Sequence, residues 1–334
     1  MAIMKSNQTQ FTIRLLQNTP FILFVLIFIV FGIMSPKFFM GQNLLNIIKQ
    51  ASYIGIIAVG MTFVLLTAGI DLSVGANMYL SAVVAGLLMK DYGVPVWLAF
   101  VVCLLVGILF GTFNAFFITK LKVIPFVVTL ATLVAGRGLA LLITKSQAVG
   151  FPDSVIRIGS ATLLGIPVPI VLFALVVVVA LVFLALTPTG RHIYAVGQNE
   201  ESAKKAGLNN GRLLATVYII CGLLAALGGF ISVAQLGIIN AGFGEGIEFS
   251  AIAAAVLGGT SLFGGRGTVF PGTVIGAIMM QMITMGLVFT QVDLYLQPLV
   301  TAAIIFLAVF LDSMRNQQLQ KMGRRNIRVE NVTS

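Results

Sequence analysis

The segment GQNEESAKKAGL, residues 197–208, places two acids and two lysines within six residues of a chain that is only 9% charged. Two glutamates, Glu200 and Glu201, are each followed four residues later by a lysine, Lys204 and Lys205. In a helix, an acid four residues before a base lies on the same face and can pair with it. The question is what a small charged segment does between two apolar runs.

The same segment carries the signals that begin and end a helix. Asn199 is a favourable N-cap residue, because its side chain can accept from a free backbone amide. The glutamates fall in the first turn and the lysines in the last, where the helix dipole favours their charges. Ala203 is the best helix former, and Gly207 can adopt the left-handed conformation that ends a helix. The sequence predicts one polar helix of about seven residues, a length that is marginal in isolation.

A helix this short needs a surface to pack against, and two roles fit it. It packs against loops of its own chain as a surface turn, or it docks into a partner protein. The apolar runs 170–186 and 213–230 flank it and are typical of membrane spans. The segment is therefore expected to lie in a polar loop between two spans.

The composition indicates a membrane protein. Hydrophobic residues make up 59% of the 334 residues and charged residues 9%, with a mean hydropathy of +1.07. Soluble domains contain about 45–50% apolar and about 25% charged residues. We predict an all-α, polytopic transmembrane helical protein with about ten spans, since each span needs roughly 20 apolar residues. The apolar stretches are continuous rather than alternating, which argues against a barrel.

Positive charges predict the orientation of these spans. Most Lys and Arg residues fall in segments that become cytoplasmic when the N-terminus is inside, as the positive-inside rule requires. We therefore expect both termini in the cytoplasm. The predicted spans are about 20–36, 51–70, 74–90, 96–118, 126–145, 166–186, 212–234, 249–262, 268–289 and 295–312. The predicted organisation is a cytoplasmic segment 1–19, a transmembrane domain 20–312 containing the cytoplasmic loop 187–211, and a basic tail 313–334.

The remaining composition excludes other classes of site. The net charge of +10 follows from the same rule, and no array of stacked aromatic and basic residues indicates a nucleic-acid partner. The basic tail fits a solvated anchor or a contact with anionic membrane lipid. His192 is the one histidine and cannot form a metal site alone, while Cys103 and Cys221 lie in apolar runs without a disulfide pattern. We predict no catalytic group, metal or cofactor.

Glycines interrupt two of the apolar segments. MTFVLLTAGIDLSVG is broken at Gly69 and Gly75, and FSAIAAAVLGGTSLFGG contains Gly258 and Gly259. Interrupted spans mark binding sites in transporters, because freed backbone groups line a cavity. Glycines also allow close packing of helices. Both interpretations remain open at this stage.

Polar residues within the spans allow several roles. A carboxylate deep in the bilayer costs about 2.5–3.5 kcal/mol on insertion scales. Asp71 therefore caps a helix break through Ser73, contacts substrate, or lies solvated at the cytoplasmic boundary. Arg137 either pairs with an acid inside the bundle or extends to an interface. Three uncharged polar residues lie within the spans: Asn77, Asn114 and Gln281. Each either faces a translocation path or joins helices by hydrogen bonds.

Taken together, these segments resemble one family. GRHIYAVGQNEESAKKAGL (190–208) resembles the cytoplasmic loop of permease subunits in ribose-type ATP-binding-cassette importers, the branched-chain amino acid/ribose permease family. AVGMTFVLLTAGIDLSVG (58–75) resembles the second-span signature, and IEFSAIAAAVLGGTSLFGGRGTVFPGTVIGA (247–277) resembles that of spans eight and nine. VIPFVVTLATLVAGRGLALLIT also fits, so the resemblance covers nearly the whole chain. It departs at Gln198 and Ser202, where glycine and alanine are usual.

The resemblance implies a function and partners. Two such permease subunits, identical or different, form a path for a monosaccharide in the inner membrane of a bacterium. A separate ATPase drives transport, and an extracytoplasmic binding protein delivers the sugar. The sequence contains no G-x-x-x-x-G-K-[ST] motif, so if ATP drives transport, the nucleotide binds to another chain. The implied ATPase-coupling residues are Gly197, Asn199, Glu200, Glu201, Ala203, Lys204, Lys205 and Gly207.

The candidate residues for the pathway and its helix breaks are Gly69, Asp71, Ser73, Asn77, Gly258 and Gly259. An ion-coupled secondary transporter is the alternative and would need an intramembrane charge relay, for which the sequence offers Asp71 and Arg137. A membrane enzyme would need a clustered set of acid, base or metal-binding groups. The sequence leaves the sugar open, with ribose as the leading candidate.

Overall fold

The computed structural model describes residues 18–307, 309, 310 and 313 and consists almost entirely of helices. The first half of the chain forms α1 Thr19–Met34, a 3-10 turn Pro36–Phe39, α2 Gly41–Leu66, α3 Val74–Tyr92, α4 Val96–Thr119 and α5 Pro125–Thr144. Next come β1 Val149–Gly150, α6 Asp153–Ser160, β2 Thr162–Leu163, β3 Ile166–Pro167 and α7 Val168–Leu186.

The second half begins with two short helices and a long one: α8 Pro188–Gln198, α9 Glu200–Lys205 and α10 Asn210–Leu236. It continues with β4 Ile238–Ile239, α11 Ile247–Leu257, an irregular turn Val269–Thr273, α12 Val274–Phe289 and α13 Gln297–Leu307. The strands form two small antiparallel pairs, β1 with β4 and β2 with β3.

The predicted polytopic helical architecture is confirmed. Each predicted apolar segment coincides with a helix, and six helices of the described chain are long and apolar enough to cross a membrane. One predicted boundary was wrong, because helix α2 begins at Gly41, well before residue 51. The predicted loop 187–211 also contains helix α8, which was not predicted, in addition to the short helix α9.

The chain divides into two compact units. One comprises the described parts of 1–39 and 282–334, where Phe38 packs against Phe31 and Phe289 with ring centroids 6.0 and 6.4 Å apart. The other comprises residues 40–281 and contains both glycine-interrupted segments. Nearly all of the predicted N-terminal segment and of the basic tail lies outside the described residues.

Helix α10 forms the centre of the larger unit, where it packs against α2, α3 and α4. Small residues set the approach of α4 to α10. A Cβ at Gly222 would meet the backbone of Gly107 and Gly111, and a Cβ at Gly111 would meet the carbonyl oxygen of Tyr218. Helices in membranes associate through such close backbone contacts, because burial from lipid gives no hydrophobic gain.

We predict that Gly222→Ala destabilises the larger unit while Gly138→Ala does not. The first substitution forces α4 away from α10, and overpacking of this kind costs about 1–3 kcal/mol. Gly138 lies on α5 with nothing within 4 Å of an added Cβ, so alanine there is neutral or slightly stabilising. Thermal unfolding of both purified variants in detergent checks this, and equal losses of stability would contradict it.

Candidate functional site

The break between α2 and α3 is organised by Asp71. Its Oδ1 accepts from the Ser73 backbone amide at 2.9 Å and from the Ser73 hydroxyl at 2.5 Å. Asp71 is 1% exposed, so it is not a solvated boundary residue in this structure. This turn satisfies backbone and side-chain groups just before α3 begins, as irregular backbone in a membrane protein requires.

A chain of hydrogen bonds extends from this turn to neighbouring helices. Asn114 of α4 donates to the Ser73 hydroxyl at 2.8 Å, and Thr132 of α5 donates to Asn114 Oδ1 at 2.8 Å. Asn77 of α3 donates to the Gly222 carbonyl of α10 at 3.0 Å. Gln281 likewise joins α12 to α2 by donating to the Gln50 side chain at 2.8 Å. The polar residues of the spans thus bond helices together.

The glycines of this break have different roles from the predicted ones. Helix α2 ends at Leu66, and Ala68 takes the left-handed conformation with φ of +59°. A Cβ at Gly69 would lie 2.6 Å from the Tyr218 hydroxyl. The prediction of a break at Gly75 was wrong, because Gly75 lies in the first turn of α3. A side chain does not fit at Gly75, because a Cβ would meet the Gly244 carbonyl oxygen.

The second break follows α11, which ends at Leu257, short of the predicted limit at 262. Gly259 takes a left-handed φ of +91°, and its amide donates to Val256 at 2.8 Å. Gly258 lies against the backbone of Gly272, too close for any side chain. We call residues 258–268, between α11 and the turn before α12, the second-break loop.

The predicted short helix is present as α9. Asn199 Oδ1 accepts from the Ser202 amide at 2.8 Å, which is the predicted N-cap. At the other end Gly207 has φ of +86° and donates to Lys204 at 3.0 Å, while Leu208 donates to Ala203 at 3.1 Å. This pair of bonds is the Schellman arrangement that terminates helices.

Two of the four charges of α9 are paired with each other. Lys205 Nζ lies 2.8 Å from Glu201 Oε1, whereas the predicted pair of Glu200 and Lys204 is not formed within the described chain. Both of the unpaired residues line a cavity of about 710 Å³ between α9, the start of α10 and the end of α4. The basic side chains of that cavity are Lys120, Lys122, Lys204 and Arg212.

Helix α8 was not predicted, although the sequence carries a signal for it. The Thr187 hydroxyl accepts from the Gly190 amide at 3.0 Å, and Pro188 occupies the first helical position, where proline is favoured. We call α8, Asn199 and α9 the charged hairpin, residues 188–205. Helix α8 of this hairpin contacts both helix breaks, as described next.

Two side chains of α8 bind the second-break loop. Gln198 donates from Nε2 to the Gly265 carbonyl at 2.7 Å, and the Tyr194 hydroxyl donates to the Gly267 carbonyl at 3.1 Å. Burial raises the pKa of Tyr194, so the phenol stays protonated and keeps this bond. The sequence identified Gln198 only as a departure from the family pattern and gave no sign of this contact, which joins residues far apart in the chain.

The charged hairpin also touches the end of α2. A Cβ at Gly197 would meet the Leu66 carbonyl oxygen and the Gly265 amide. That amide donates to the Leu66 carbonyl at 2.9 Å. The end of α2, the second-break loop and the hairpin therefore meet at one backbone junction, Leu66–Gly265–Gly197.

Arg137 of α5 lies within the bundle. It donates to the carbonyls of Ala241 and Phe243 at 2.8 and 3.2 Å. Its Nη1 lies 3.9 Å from Glu245 Oε2, and its guanidinium stacks 5.6 Å from the Tyr79 ring centroid. Of the two predicted environments, the structure shows pairing with an acid, together with two carbonyls that the sequence did not indicate.

Most of the chain matches a known protein family. Residues 43–309 match the family described as branched-chain amino acid transport system / permease component. The chain belongs to this permease family. With its apolar helices, the permease is a multi-pass membrane protein.

Individual relatives of the permease carry more specific names. It is 38% identical over 318 residues to the ribose import permease protein RbsC of Haemophilus influenzae, covering 93% of this chain and 98% of the relative. It is 41% identical to RbsC of Bacillus subtilis, covering 89% and 92%. It is also 38% identical to the D-allose transport system permease protein AlsC of Escherichia coli, covering 88% and 90%. No solved structure matches. The resemblance to ribose-type permeases is confirmed.

We predict that Asn114→Ala destabilises the permease by about 1–3 kcal/mol, the cost of leaving buried polar partners unsatisfied. Ser73 and Thr132 would both lose a partner. The matched control is Thr112→Ala on the same helix, since Thr112 is exposed and bonds its own helix at Ile108. Thermal unfolding in detergent measures both variants. A stability loss for the control as large as that for Asn114→Ala would contradict the importance of the network.

Proposed function

We propose that this permease forms the translocation pathway of an ATP-binding-cassette importer for a monosaccharide, with ribose as the leading substrate. The observation that carries the proposal is the near-complete alignment with ribose import permeases at 38% and 41% identity. The D-allose relative supports the wider class of monosaccharides. A separate ATPase subunit drives transport in this proposal.

The charged hairpin is the proposed coupling element. Ala203 is 5% exposed and fixes α9 to the chain, while the charges around it are exposed. A groove on the ATPase would receive α9. Its displacement would reach both helix breaks through Gln198 and the backbone junction Leu66–Gly265–Gly197. The proposed coupling residues are Gly197, Asn199, Glu200, Glu201, Ala203, Lys204, Lys205 and Gly207.

The proposed orientation puts both termini and the hairpin in the cytoplasm. The ten predicted spans then cross or enter the bilayer of a bacterial inner membrane. Segment 1–19 and tail 313–334 flank the transmembrane domain 20–312, and the tail is available to anionic lipid. The four basic residues of the cavity beside α9 fit a cytoplasmic position by the positive-inside rule.

The broken helices are proposed to line the path, as discontinuous helices do in transporters. The candidates are Gly69, Asp71, Ser73, Asn77, Gly258 and Gly259. A second permease subunit, identical or different, completes the path, and an extracytoplasmic binding protein delivers the sugar. An ion-coupled mechanism is not favoured, because Asp71 bonds neutral Ser73 and Arg137 bonds loop carbonyls.

We expect Asn199→Ala to lower ATP-driven ribose uptake several-fold. Loss of an N-cap costs about 1 kcal/mol, which is a large fraction of the stability of so short a helix. Ser202→Ala is the matched control, since it keeps the Asn199 cap bond to the residue 202 amide. Uptake is measured in proteoliposomes, and binding of the cognate ATPase is measured by co-purification. Full uptake and normal ATPase binding by Asn199→Ala would contradict the coupling role.

Gly197→Ala tests the path from the hairpin to the breaks. The added methyl group displaces the hairpin from the Leu66 carbonyl, so ATP hydrolysis should continue while sugar uptake falls at least about ten-fold, equivalent to 1.4 kcal/mol. Gly211→Ala is the control, because its Cβ would have ordinary contacts starting at 3.6 Å. The two activities are measured on the same reconstituted complexes. An unchanged ratio of uptake to hydrolysis in Gly197→Ala would contradict the proposed transmission.

A further inference from the structure

A second cavity, of about 430 Å³, lies at the far end of α10 from the charged hairpin. Its walls come from α2, α3, α10 and the segment 238–247. Its volume lies in the range of small-molecule sites, about 300–1,000 Å³. The side chains important here are Tyr53, Met78, Ser232, Asn240, Phe243 and Glu245.

Two hydroxyls in this cavity lack protein partners. Ser232 is 3% exposed, yet its hydroxyl makes no hydrogen bond to any residue that the structure describes. The Tyr53 hydroxyl, on the facing helix α2, has no partner there either. Neither hydroxyl is sealed off from the cavity, so both can donate to or accept from a molecule bound there. Their position on a cavity wall points to a polar ligand that bonds them.

The other walls of the cavity offer donors, acceptors and apolar surface that suit a polyhydroxylated ligand. The side-chain oxygen of Asn240 accepts from the Gly242 amide at 3.0 Å. The side-chain nitrogen of Asn240 remains available as a donor. Glu245, with its side chain 76% exposed, offers acceptor oxygens at the mouth. Phe243 and Met78 provide apolar surface for C–H groups. Sugar rings present hydroxyls at their edge and C–H groups on their faces, so this mixture suits them.

The segment 238–247, which carries Asn240, Phe243 and Glu245, is held in place by contacts outside the cavity. Arg137 bonds the carbonyls of Ala241 and Phe243 and approaches Glu245. Gly75 and Gly244 meet through their backbones, so the segment lies directly against the start of α3. A wall fixed in this way reduces the ordering cost of binding.

We propose that this cavity is a transient subsite for one monosaccharide unit on its way through the permease, with Tyr53 and Ser232 as hydrogen-bonding residues and Arg137 as a positioning residue. The proposal rests on the proposed function and extends it to a specific site. In the proposed orientation the cavity lies toward the extracytoplasmic side, where a binding protein would release the sugar.

Cysteine protection tests the site directly. Ser232→Cys is a near-isosteric change, and a small methanethiosulfonate reagent should label it in the purified permease. Ribose or D-allose at high concentration should slow labelling several-fold. Ser154→Cys is the control, because Ser154 is exposed on α6 outside the cavity, and neither sugar should change its labelling. Absence of protection at position 232 by both sugars, with the reagent still reacting there, would overturn the proposal.

Two further variants test it without labelling. Tyr53→Phe removes one hydroxyl and should reduce ribose uptake two- to ten-fold, the range for one neutral hydrogen bond. Arg137→Gln should weaken sugar protection at Ser232→Cys with the cavity residues themselves unchanged. Tyr92→Phe, on an exposed tyrosine, should have no effect. Unchanged uptake by Tyr53→Phe would count against the subsite.

The outcomes separate this proposal from the proposed function. ATP-driven ribose uptake without sugar protection would leave the importer function standing and remove the subsite. Sugar protection with uptake that needs no ATPase would leave the subsite standing and remove the importer function. A reagent that cannot reach Ser232→Cys at all would contradict an open cavity.

Discussion

The carbonyl at the end of α2 is the constraint on which the rest of this structure depends. A helix that ends inside an apolar bundle leaves carbonyls without intrahelical partners, and the membrane interior offers no water to replace them. The Leu66 carbonyl accepts from the Gly265 amide at 2.9 Å. That bond ties the first helix break to the second, although about 200 residues of chain separate them, a closure whose cost grows slowly with length.

Gly197 brings the charged hairpin to the same carbonyl, because no side chain fits between them. Gln198 then bonds the carbonyl of Gly265 itself, and Tyr194 bonds the carbonyl of Gly267 farther along the second-break loop. These hydrogen bonds and close backbone contacts leave little room for independent movement. A push on α9 would therefore reach both broken helices without a long chain of intermediates, which is what a coupling element needs.

The sequence predicted the local features well and the long-range ones poorly. Asn199, Ala203 and Gly207 give a correct account of α9, since caps and propensity act within a few residues. Thr187 and Pro188 are signals for the start of helix α8, although that helix was not predicted. The bonds of Gln198 and Arg137 depend on which distant loops fold back against them, and no periodicity in a single sequence encodes that. Gly75 shows the same limit, because its small size serves a contact with Gly244 rather than a turn.

The most direct test is whether the charged hairpin and the second-break loop move as one body. Spin labels on Ser202→Cys and Phe263→Cys, both exposed positions, report their separation, while a label on Leu121→Cys at the end of α4 gives a reference across the basic cavity. The native Cys103 and Cys221 are buried and need no replacement. Between the nucleotide-free and ATP-trapped complex, we expect the distance from 202 to 263 to stay constant while the distance from 202 to 121 changes. A change in the 202 to 263 distance as large as that of the reference would contradict rigid transmission through the Leu66 junction.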